Sequence, residues 1–356
     1  MPTTYAVPNG ATQFAATLWN GGQTSPFSVS NGANNTTGVT FQPDFVWAKE
    51  RSASSSHRLY DSVRGTGLAL FSNSTSAETT ETNPGVSAFQ STGFQITNTS
   101  GNAPYLNETS QTYVGWQWKA GGTASSNTNG SITSQVSVNA TAGFSIVTYT
   151  GTGANATVGH GLGVAPSMVI VKKRGAVGDW PVYHIGLTSA AYNLYLDATN
   201  AQAIDSPPTF NSTAPTSSVF SLSSNTQVNA SGVTAVAYCW AQIPGYSAFG
   251  KYTGNGSADG PFVYTGFRPR FVMVKNITSS PWNWFLFDSS RNTYNVTNTA
   301  LLPNDPGAET TNTTWIFDLL SNGFKNRGTN GNVNNSGDTY IYAAFAENPF
   351  KYANAR

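Results

Sequence analysis

One strand pattern occurs three times in this chain at nearly constant spacing, and this repeat limits the fold more than any other feature. Each copy begins with a proline, five mostly apolar residues and a lysine, and is followed by a strand that starts with threonine and ends in an aromatic residue. The copies run from Pro43 to Trp118, from Pro166 to Trp240 and from Pro269 to Phe345, with proline-to-threonine intervals of 69, 68 and 70 residues. Chance does not keep a spacing this constant, so the sequence predicts one structural unit repeated three times.

The repeat predicts the domain organisation. Residues 121–143 are rich in Gly, Ser, Thr and Asn, which is typical of a flexible linker. Only Ile243-Pro-Gly-Tyr-Ser joins the later two units, so we expect a fixed angle between them and a more mobile first unit. The predicted parts are an N-terminal arm at 1–13, a first unit at 14–120, the linker at 121–143, a second unit at 144–246 and a third unit at 247–356.

The local patterns indicate strands throughout. Short runs of Val, Ile, Thr, Tyr, Phe and Trp are separated by Gly, Asn, Ser and Pro, and no segment has a sustained helical period. In Phe45-Val-Trp-Ala48 and its counterparts both alternating faces are apolar, which indicates a strand covered on two sides. The sequence therefore predicts an all-β protein of three tandem homologous antiparallel β-sandwich domains, of the jelly-roll or lectin-like kind.

Composition and charge argue against several classes of partner. Only 9% of the residues are charged and the formal net charge is +1, so we expect no binding to nucleic acid. No stretch approaches 18 apolar residues and the N-terminus has no secretion-signal pattern. We therefore expect the protein to be made in the cytoplasm and not to insert into a membrane. The single cysteine, Cys239, allows no intrachain disulfide and is expected to be a small buried hydrophobe.

Two acidic motifs are the strongest candidates for chemistry. The best carboxylate pair for a glycan hydrolase lies in Ala77-Glu-Thr-Thr-Glu81, but Ala308-Glu-Thr-Thr311 repeats the motif in a similar loop, which favours a structural element. Asp61-Ser-Val-Arg64 and Asp288-Ser-Ser-Arg291 also match between the first and third units. We interpret this second motif as an Asx-turn with a surface ion pair rather than as a ligand clamp.

The histidines predict no metal site and no catalytic triad. His57, His160 and His184 are spread over different segments and have no partner at ligand spacing. The Asn304-Asp-Pro-Gly loop lacks the spacing of a known calcium-binding loop. We therefore expect no enzyme activity, no metal and no cofactor.

The aromatic residues remain as candidate binding groups. Nine Trp and 16 Tyr exceed what three small cores usually need, and a flat ring on a polar surface suits stacking on a sugar. Trp118, Trp240 and Phe345 occupy equivalent positions and are expected in the core. The predicted carbohydrate-binding residues lie beside variable loops and are Trp180, Trp282 and Trp284.

Several motifs resemble repeat domains of bacteriophage virion proteins, most closely tail-fibre and other structural proteins of marine and cyanobacterial phages. They are Pro-X-Phe-Val-Trp-X-Lys, Leu59-Tyr-Asp-Ser-Val-Arg-Gly65, Ser145-Ile-Val-Thr-Tyr-Thr-Gly-Thr-Gly153 with Gly159-His-Gly-Leu-Gly163, and the ending 345–356. The resemblance covers nearly the whole chain but carries no catalytic or binding residues with it. It implies a virion part that forms a homo-oligomer, with a trimer favoured, and docks on other virion proteins, for which residues 1–12 are the better candidate.

These observations favour a non-enzymatic tail fibre or tail-associated protein that presents β-sandwich domains to a glycan on the host surface. One alternative is a capsid decoration or tail-ring protein that binds other virion proteins. A second alternative is a tailspike-type glycanase that uses Glu78 or Glu81. The place on the particle, tail or capsid, stays open at this point.

Overall fold

The computed structural model describes residues 6–33, 38–81, 85–97 and 105–348. Residues 1–5 of the predicted arm and residues 349–356 of the predicted third unit lie outside the described residues. The described chain is nearly all β, with antiparallel strand pairs in several sheets, which confirms the predicted fold class. Among the described residues, no helix has both the length and the apolar character needed to cross a membrane.

The described residues of the first unit form nine strands in two sheets. Six of them form a large sheet in the order β1-β9-β3-β4-β5-β6, and the other three form a small sheet in the order β2-β8-β7. The strands are β1 (Phe14–Asn20), β2 (Phe27–Ser30), β3 (Phe45–Glu50), β4 (Arg58–Asp61), β5 (Gly65–Leu70), β6 (Thr79–Thr80), β7 (Ala88–Gln90), β8 (Gly93–Ile96) and β9 (Thr112–Trp118).

Residues 121–246 follow the same plan with two additional strands at one edge. The large sheet has the order β10-β11-β12-β18-β14-β15-β16, and β13 pairs with β17 in a small sheet. The elements are β10 (Ser125–Asn127), β11 (Ser134–Asn139), β12 (Phe144–Thr150), β13 (Ala156–Gly159), β14 (Met168–Lys173), β15 (Pro181–His184), β16 (Leu194–Tyr195), β17 (Val219–Leu222), α1 (Thr226–Asn229) and β18 (Thr234–Trp240).

The third unit has a four-stranded large sheet in the order β19-β27-β21-β22. Its small sheet has the order β20-β26-β25, and β23 pairs with β24. The elements are β19 (Ser247–Thr253), β20 (Phe262–Tyr264), β21 (Arg268–Asn276), β22 (Trp284–Asp288), β23 (Thr299–Ala300), β24 (Thr310–Thr311), β25 (Phe317–Leu320), β26 (Gly323–Asn326), α2 (Gly331–Asn334) and β27 (Thr339–Asn348).

The repeated sequence pattern occupies the same place in each large sheet. The lysine-ended strands β3, β14 and β21 pair antiparallel with the closing strands β9, β18 and β27. The register places Phe45 opposite Trp118, Met168 opposite Trp240 and Phe271 opposite Phe345. The constant spacing in the sequence thus fixes a constant strand pairing.

The two apolar faces of these strands enter different cores. Val46 and Ala48 of β3 pack in a cluster with Val29 and Phe94 of the small sheet, which is the cover that a β-sandwich provides. Phe45 and Trp47, on the opposite face, belong to a large cluster that contains residues of all three units. In β14 the same alternation separates Val169 and Val171 from Met168 and Ile170.

The three large sheets meet in this shared cluster. The ring of Trp118 lies 5.9 Å from that of Trp240 and 5.5 Å from that of Phe345, measured between ring centroids. Phe45 of the first unit stacks on Tyr238 of the second at 4.3 Å. The closing aromatics are core residues as predicted, but they pack on one another between units. The division into three tandem domains stays a prediction, because the largest core cluster is common to all three units.

The flexible linker predicted at 121–143 is wrong. Strands β10 and β11 lie in this segment, and β11 pairs with β12 along Gln135 to Asn139. Val136 is buried at 3% exposure in the core of the second unit. Alternating valines in Gln135-Val-Ser-Val138 provide an apolar strand face that the surrounding Ser, Thr and Asn conceal in the composition.

The greater mobility expected of the first unit is also wrong. The phenol of Tyr238, in the second unit, donates a 2.8 Å hydrogen bond to Asp61, and the indole of Trp116 donates a 3.0 Å bond to Asp288 of the third unit. All four side chains are buried. The first unit is therefore fixed to both of its neighbours.

The described part of the N-terminal arm packs on the third unit. Val7 and Ala11 are buried, and a 3₁₀ turn, Gly10–Thr12, is capped by the side chain of Asn9. A Cβ atom at Gly10 would lie only 2.9 Å from the carbonyl oxygen of Ala346, so glycine permits this close approach. Docking on another virion protein stays a prediction for the arm.

Candidate functional site

Trp180 and Trp284 are wrong as surface platforms for a sugar. Their side chains are exposed by only 0% and 1%. The indole N–H of Trp180 donates to the carbonyl oxygen of Phe71 in the first unit at 2.9 Å. The indole of Trp284 donates to the carbonyl oxygen of Tyr195 in the second unit, also at 2.9 Å. Each tryptophan joins its unit to the preceding one.

Alignment of the three repeats could have predicted that these tryptophans are buried. Trp180, Trp284 and His57 each directly precede or start the strand that pairs with the lysine-ended strand. His57 is fully buried, accepts a 3.0 Å hydrogen bond from the indole of Trp47, and has a pKa well below its ordinary value because burial disfavours the charged ring. A position that is buried in all three units is a core position.

Trp282 stays a candidate carbohydrate-binding residue, but only part of its ring is exposed. Its ring is half-buried, its indole N–H donates to the hydroxyl of Ser279 at 2.9 Å, and a Cβ atom at Gly331 would lie 2.6 Å from the ring. The ring therefore covers Gly331, and only part of it faces the exterior.

The ion pair predicted on the surface at Asp61 and Arg64 is buried instead. Backbone N–H groups of Val63 and Arg64 donate to Asp61 Oδ1, which confirms the Asx-turn. Both side chains of the ion pair have 0% exposure. Arg64 also binds Glu78 at 2.9 Å, and Glu78 binds Arg174 of the second unit at 2.9 Å. The motif forms a chain of alternating charges that crosses a junction between units.

The third unit repeats this arrangement toward the first. Arg291 binds Asp288 at 2.6 Å and Glu309 at 3.2 Å, and Glu309 binds Arg51 of the first unit at 2.9 Å. The two Ala-Glu-Thr-Thr motifs, interpreted from the sequence as structural loops, thus provide the acid that connects neighbouring units.

These contacts argue against a catalytic role for the acidic loop. Burial opposes ionisation of Glu78, but the hydrogen bonds and charges of Arg174 and Arg64 outweigh it and lower the pKa of this carboxyl. A general acid for glycan hydrolysis needs a raised pKa. Glu81 accepts from Tyr60 and from the Gly85 backbone N–H at 2.7 and 3.1 Å. Both carboxylates are engaged in structural bonds.

The equivalent place in the second unit carries no charge. His184 takes the position of the aspartate, and its ring nitrogens contact the Tyr342 carbonyl oxygen at 3.1 Å and the Gly186 N–H at 2.9 Å. Burial lowers the pKa of His184 to about 4. Gln202 and Ile277 replace the acid and the arginine, so a neutral contact joins the second unit to the third.

The possible metal ligands and the cysteine form no further candidate site among the described residues. No group of three His, Cys, Asp or Glu side chains in the described ranges is arranged to hold a metal ion. Cys239 is fully buried, and burial raises the pKa of its thiol, which keeps it protonated.

The clearest unexplained surface feature is a pair of aromatic residues on the third unit. Phe262 and Tyr264 lie on the edge strand β20 with exposures of 46% and 63%. Since side chains two apart on a strand share a face, both rings stand on the outer side of the small sheet, with their Cα atoms about 7 Å apart. Val263 between them points into the core. Sequence analysis missed this pair because apolar alternation on both faces indicates burial.

The other two units serve as internal references for this position. Val29, Val158 and Val263 are buried and pair with the equivalent Phe94, Phe220 and Phe324. The residues that flank the valine are Ser28 and Ser30 in the first unit, and Thr157 and Gly159 in the second. The core therefore does not require aromatic side chains beside this valine.

Polar groups surround the Phe262–Tyr264 pair. Lys325, which pairs with Phe262, forms a 2.6 Å ion pair with Asp259. Asp318 lies in the next strand of the sheet, opposite Lys325, and binds Arg327 at 3.8 Å. The rings thus stand in a surface rich in hydrogen-bonding groups, and Gly323 lies under the ring of Phe262.

The fold defines an all-β protein whose antiparallel sheets surround a shared core. The chain belongs to the family described as a domain of unknown function, DUF7483, whose model matches residues 14–349. One family model thus spans all three copies of the repeat. Comparisons with curated proteins and with solved structures gave no match.

Proposed function

We propose that this protein is a non-enzymatic structural component of a bacteriophage particle, a tail fibre or tail-associated protein that attaches to glycans on the host surface. The observation that carries the attachment role is the exposed Phe262–Tyr264 pair on a polar face of the third unit. The virion location rests on the sequence resemblance. The proposal includes a homo-oligomer, with a trimer favoured, bound to other virion proteins.

The chemistry of the pair suits a pyranose ring. The face of an aromatic ring carries negative partial charge and attracts the polarised C–H groups on one side of a sugar. Hydroxyl groups at the rim of the sugar need hydrogen-bonding partners. The carboxylates of Asp259 and Asp318 and the ammonium group of Lys325 supply them.

The position of the pair also favours binding. Both rings are attached to a strand that pairs with β26 and packs on the shared core, so little backbone freedom is lost when a ligand binds. Tyrosine and phenylalanine have only two side-chain torsions each, which keeps the entropy cost of ordering them low.

An attachment test should compare cell binding by the wild type with that of a variant carrying Phe262→Ser and Tyr264→Ser. These changes copy Ser28 and Ser30 of the first unit, which the same valine environment tolerates. We expect the variant to fold normally and to lose at least tenfold in affinity for host cells. A matched control removes two other exposed apolar side chains, Val177 and Ile204, whose exposures are 66% and 52%.

Equal cell binding by the wild type and the double-serine variant would contradict the attachment role of the pair. Binding to purified capsids without binding to cells would instead favour the capsid decoration role. Labelling of particles with an antibody against this chain tests the virion location: we expect label on the tail, and unlabelled particles would overturn it.

A further inference from the structure

A polar pocket of about 320 Å³ opens at the junction between the second and third units. This volume falls in the range of small-molecule sites. The second unit contributes Thr188, Tyr192 and Gln202, and the third contributes Lys251, Thr278 and Thr339.

The pocket lies where the other two junctions hold an ion pair. Backbone hydrogen bonds identify the equivalent positions: Glu78 N–H to Arg174 O at 2.9 Å, Glu309 N–H to Arg51 O at 2.8 Å, and Gln202 N–H to Ile277 O at 3.3 Å. At the first two junctions a guanidinium reaches across to the glutamate. Ile277 has no such group, so the third junction keeps the space open.

The lining offers hydrogen-bond donors and one positive charge. The Gln202 amide is held by Thr188, with its Nε2 donating to Thr188 Oγ1 at 2.6 Å and its Oε1 accepting from Thr188 N–H at 2.9 Å. Thr278 Oγ1 accepts from the Thr339 backbone N–H at 2.8 Å, which leaves the hydroxyl hydrogen available to a ligand. Lys251 is exposed and is the only charged side chain among the described residues that line the pocket.

The nearest acidic residue in sequence to this lining is already engaged. Asp338, which precedes Thr339, accepts hydrogen bonds from the Ser279 hydroxyl at 2.6 Å and from the Asn276 amide at 2.9 Å. Lys251 forms no ion pair with a described residue. The charge of the pocket therefore favours an anionic ligand.

We infer that this pocket binds an acidic sugar unit, a pyranose that carries a carboxylate. Lys251 faces the carboxylate, the hydroxyls of Thr188 and Thr278 bond the sugar hydroxyls, and the half-buried ring of Tyr192 forms an apolar wall. The inference rests on the proposed function, because it names the class of glycan that a host-attachment protein would recognise. It assigns a second binding site, whose lining residues do not include Phe262 or Tyr264.

The test titrates the intact protein with galacturonate, galactose and acetate and follows binding by ligand-observed NMR. We expect millimolar affinity for galacturonate and at least tenfold weaker binding of galactose and of acetate. Lys251→Met should reduce galacturonate affinity about tenfold, to the level of galactose. Lys119→Met, a lysine change at the junction between the first and second units, should leave it unchanged.

A second variant fills the pocket without removing a proposed donor from the third unit. The double change Gln202→Glu and Ile277→Arg copies the charged pair of the other two junctions, and we expect it to abolish galacturonate binding. Unfolding should be monitored in parallel, and if this variant does not fold, Thr278→Val with Lys251→Met decides the question.

Three results would overturn the inference: undiminished binding in the filled variant, unchanged binding in Lys251→Met, or equal affinity for acetate and galacturonate. Failure of the proposed function is distinguishable from these. A filled variant that binds cells as well as the wild type removes the pocket's role and leaves attachment in place. Galacturonate binding by a wild type that ignores host cells keeps the pocket and removes attachment.

Discussion

The change in thermal stability on replacing Arg64 is a direct test of whether the three units unfold together. The Arg64 side chain is fully buried and binds the carboxylates of Asp61 and Glu78. It also donates to the carbonyl oxygens of Leu59 and Leu68 at 2.8 and 3.0 Å. The change Arg64→Met keeps an unbranched apolar stem but leaves the buried Asp61 carboxylate without its counterion. Removing one partner of a buried pair costs about 3–5 kcal/mol in the free energy of unfolding.

The expected change in Tm depends on how much of the chain unfolds together with this site. The entropy of unfolding is about 2.1 cal/mol/K per residue, so a loss of about 4 kcal/mol lowers Tm by about 5 °C if all 356 residues unfold in one transition. If residues 14–120 unfolded alone, the same loss would lower their own transition by about 18 °C and leave the other transitions in place. The shared core predicts the first result.

Differential scanning calorimetry at neutral pH measures this difference. Arg174→Met is a matched control in the same charge chain, because its side chain is 20% exposed and its loss should cost only about 1 kcal/mol, or less than about 2 °C in Tm. An Arg64→Met protein with unchanged Tm would refute the buried-charge argument. A separate transition that moves by itself would refute the shared core.

Three further predictions concern pH and Trp284. The pKa values of Glu78 and Asp288 are lowered because their arginine partners outweigh the effect of burial, so the stability that these carboxylates contribute at neutral pH should be lost as the pH falls below about 4, measured by urea unfolding. Burial lowers the pKa of Lys275 from 10.5 to about 7. Between these pH values the unfolded chain binds more protons than the folded protein, so Lys275 should make the folded protein more stable as the pH rises from about 7 to about 10. A Lys275→Met variant should lack that increase. Trp284→Phe removes the N–H donor to the Tyr195 carbonyl oxygen and should lower the free energy of unfolding in urea by about 1–3 kcal/mol, with cell binding unchanged. A loss of cell binding without a loss of stability would support the prediction that Trp284 binds carbohydrate.

Spacing was enough to predict a repeated unit, and periodicity was enough to predict a strand covered on two faces, but neither predicted what covers each face. The alternation in Phe45-Val-Trp-Ala48 indicates that both faces are covered, and the structure confirms this. Periodicity records burial without recording what provides it. One cover is the small sheet of the same unit, and the other is the large sheets of the other two units.

Composition is a poor guide where a few residues decide the structure. Valines at alternate positions make β11 a strand although its surroundings have the composition of a linker. Trp180 lies beside polar loops, which suggests exposure, but its indole packs against the first unit and donates to the carbonyl oxygen of Phe71 there. The exposed pair at Phe262 and Tyr264 shows the opposite case, because its sequence has the apolar character of a core strand.

Native-state hydrogen exchange tests the central structural claim, that the three units share one large core cluster. The amides to follow are those of the closing strands β9, β18 and β27, which contain Trp118, Trp240 and Phe345. The shared core predicts that the slowest amides of all three strands exchange with the same free energy and the same dependence on denaturant, because they are exposed only when the whole protein unfolds. Three different free energies, each with a denaturant dependence about a third as steep, would show that the units unfold separately and would contradict the account.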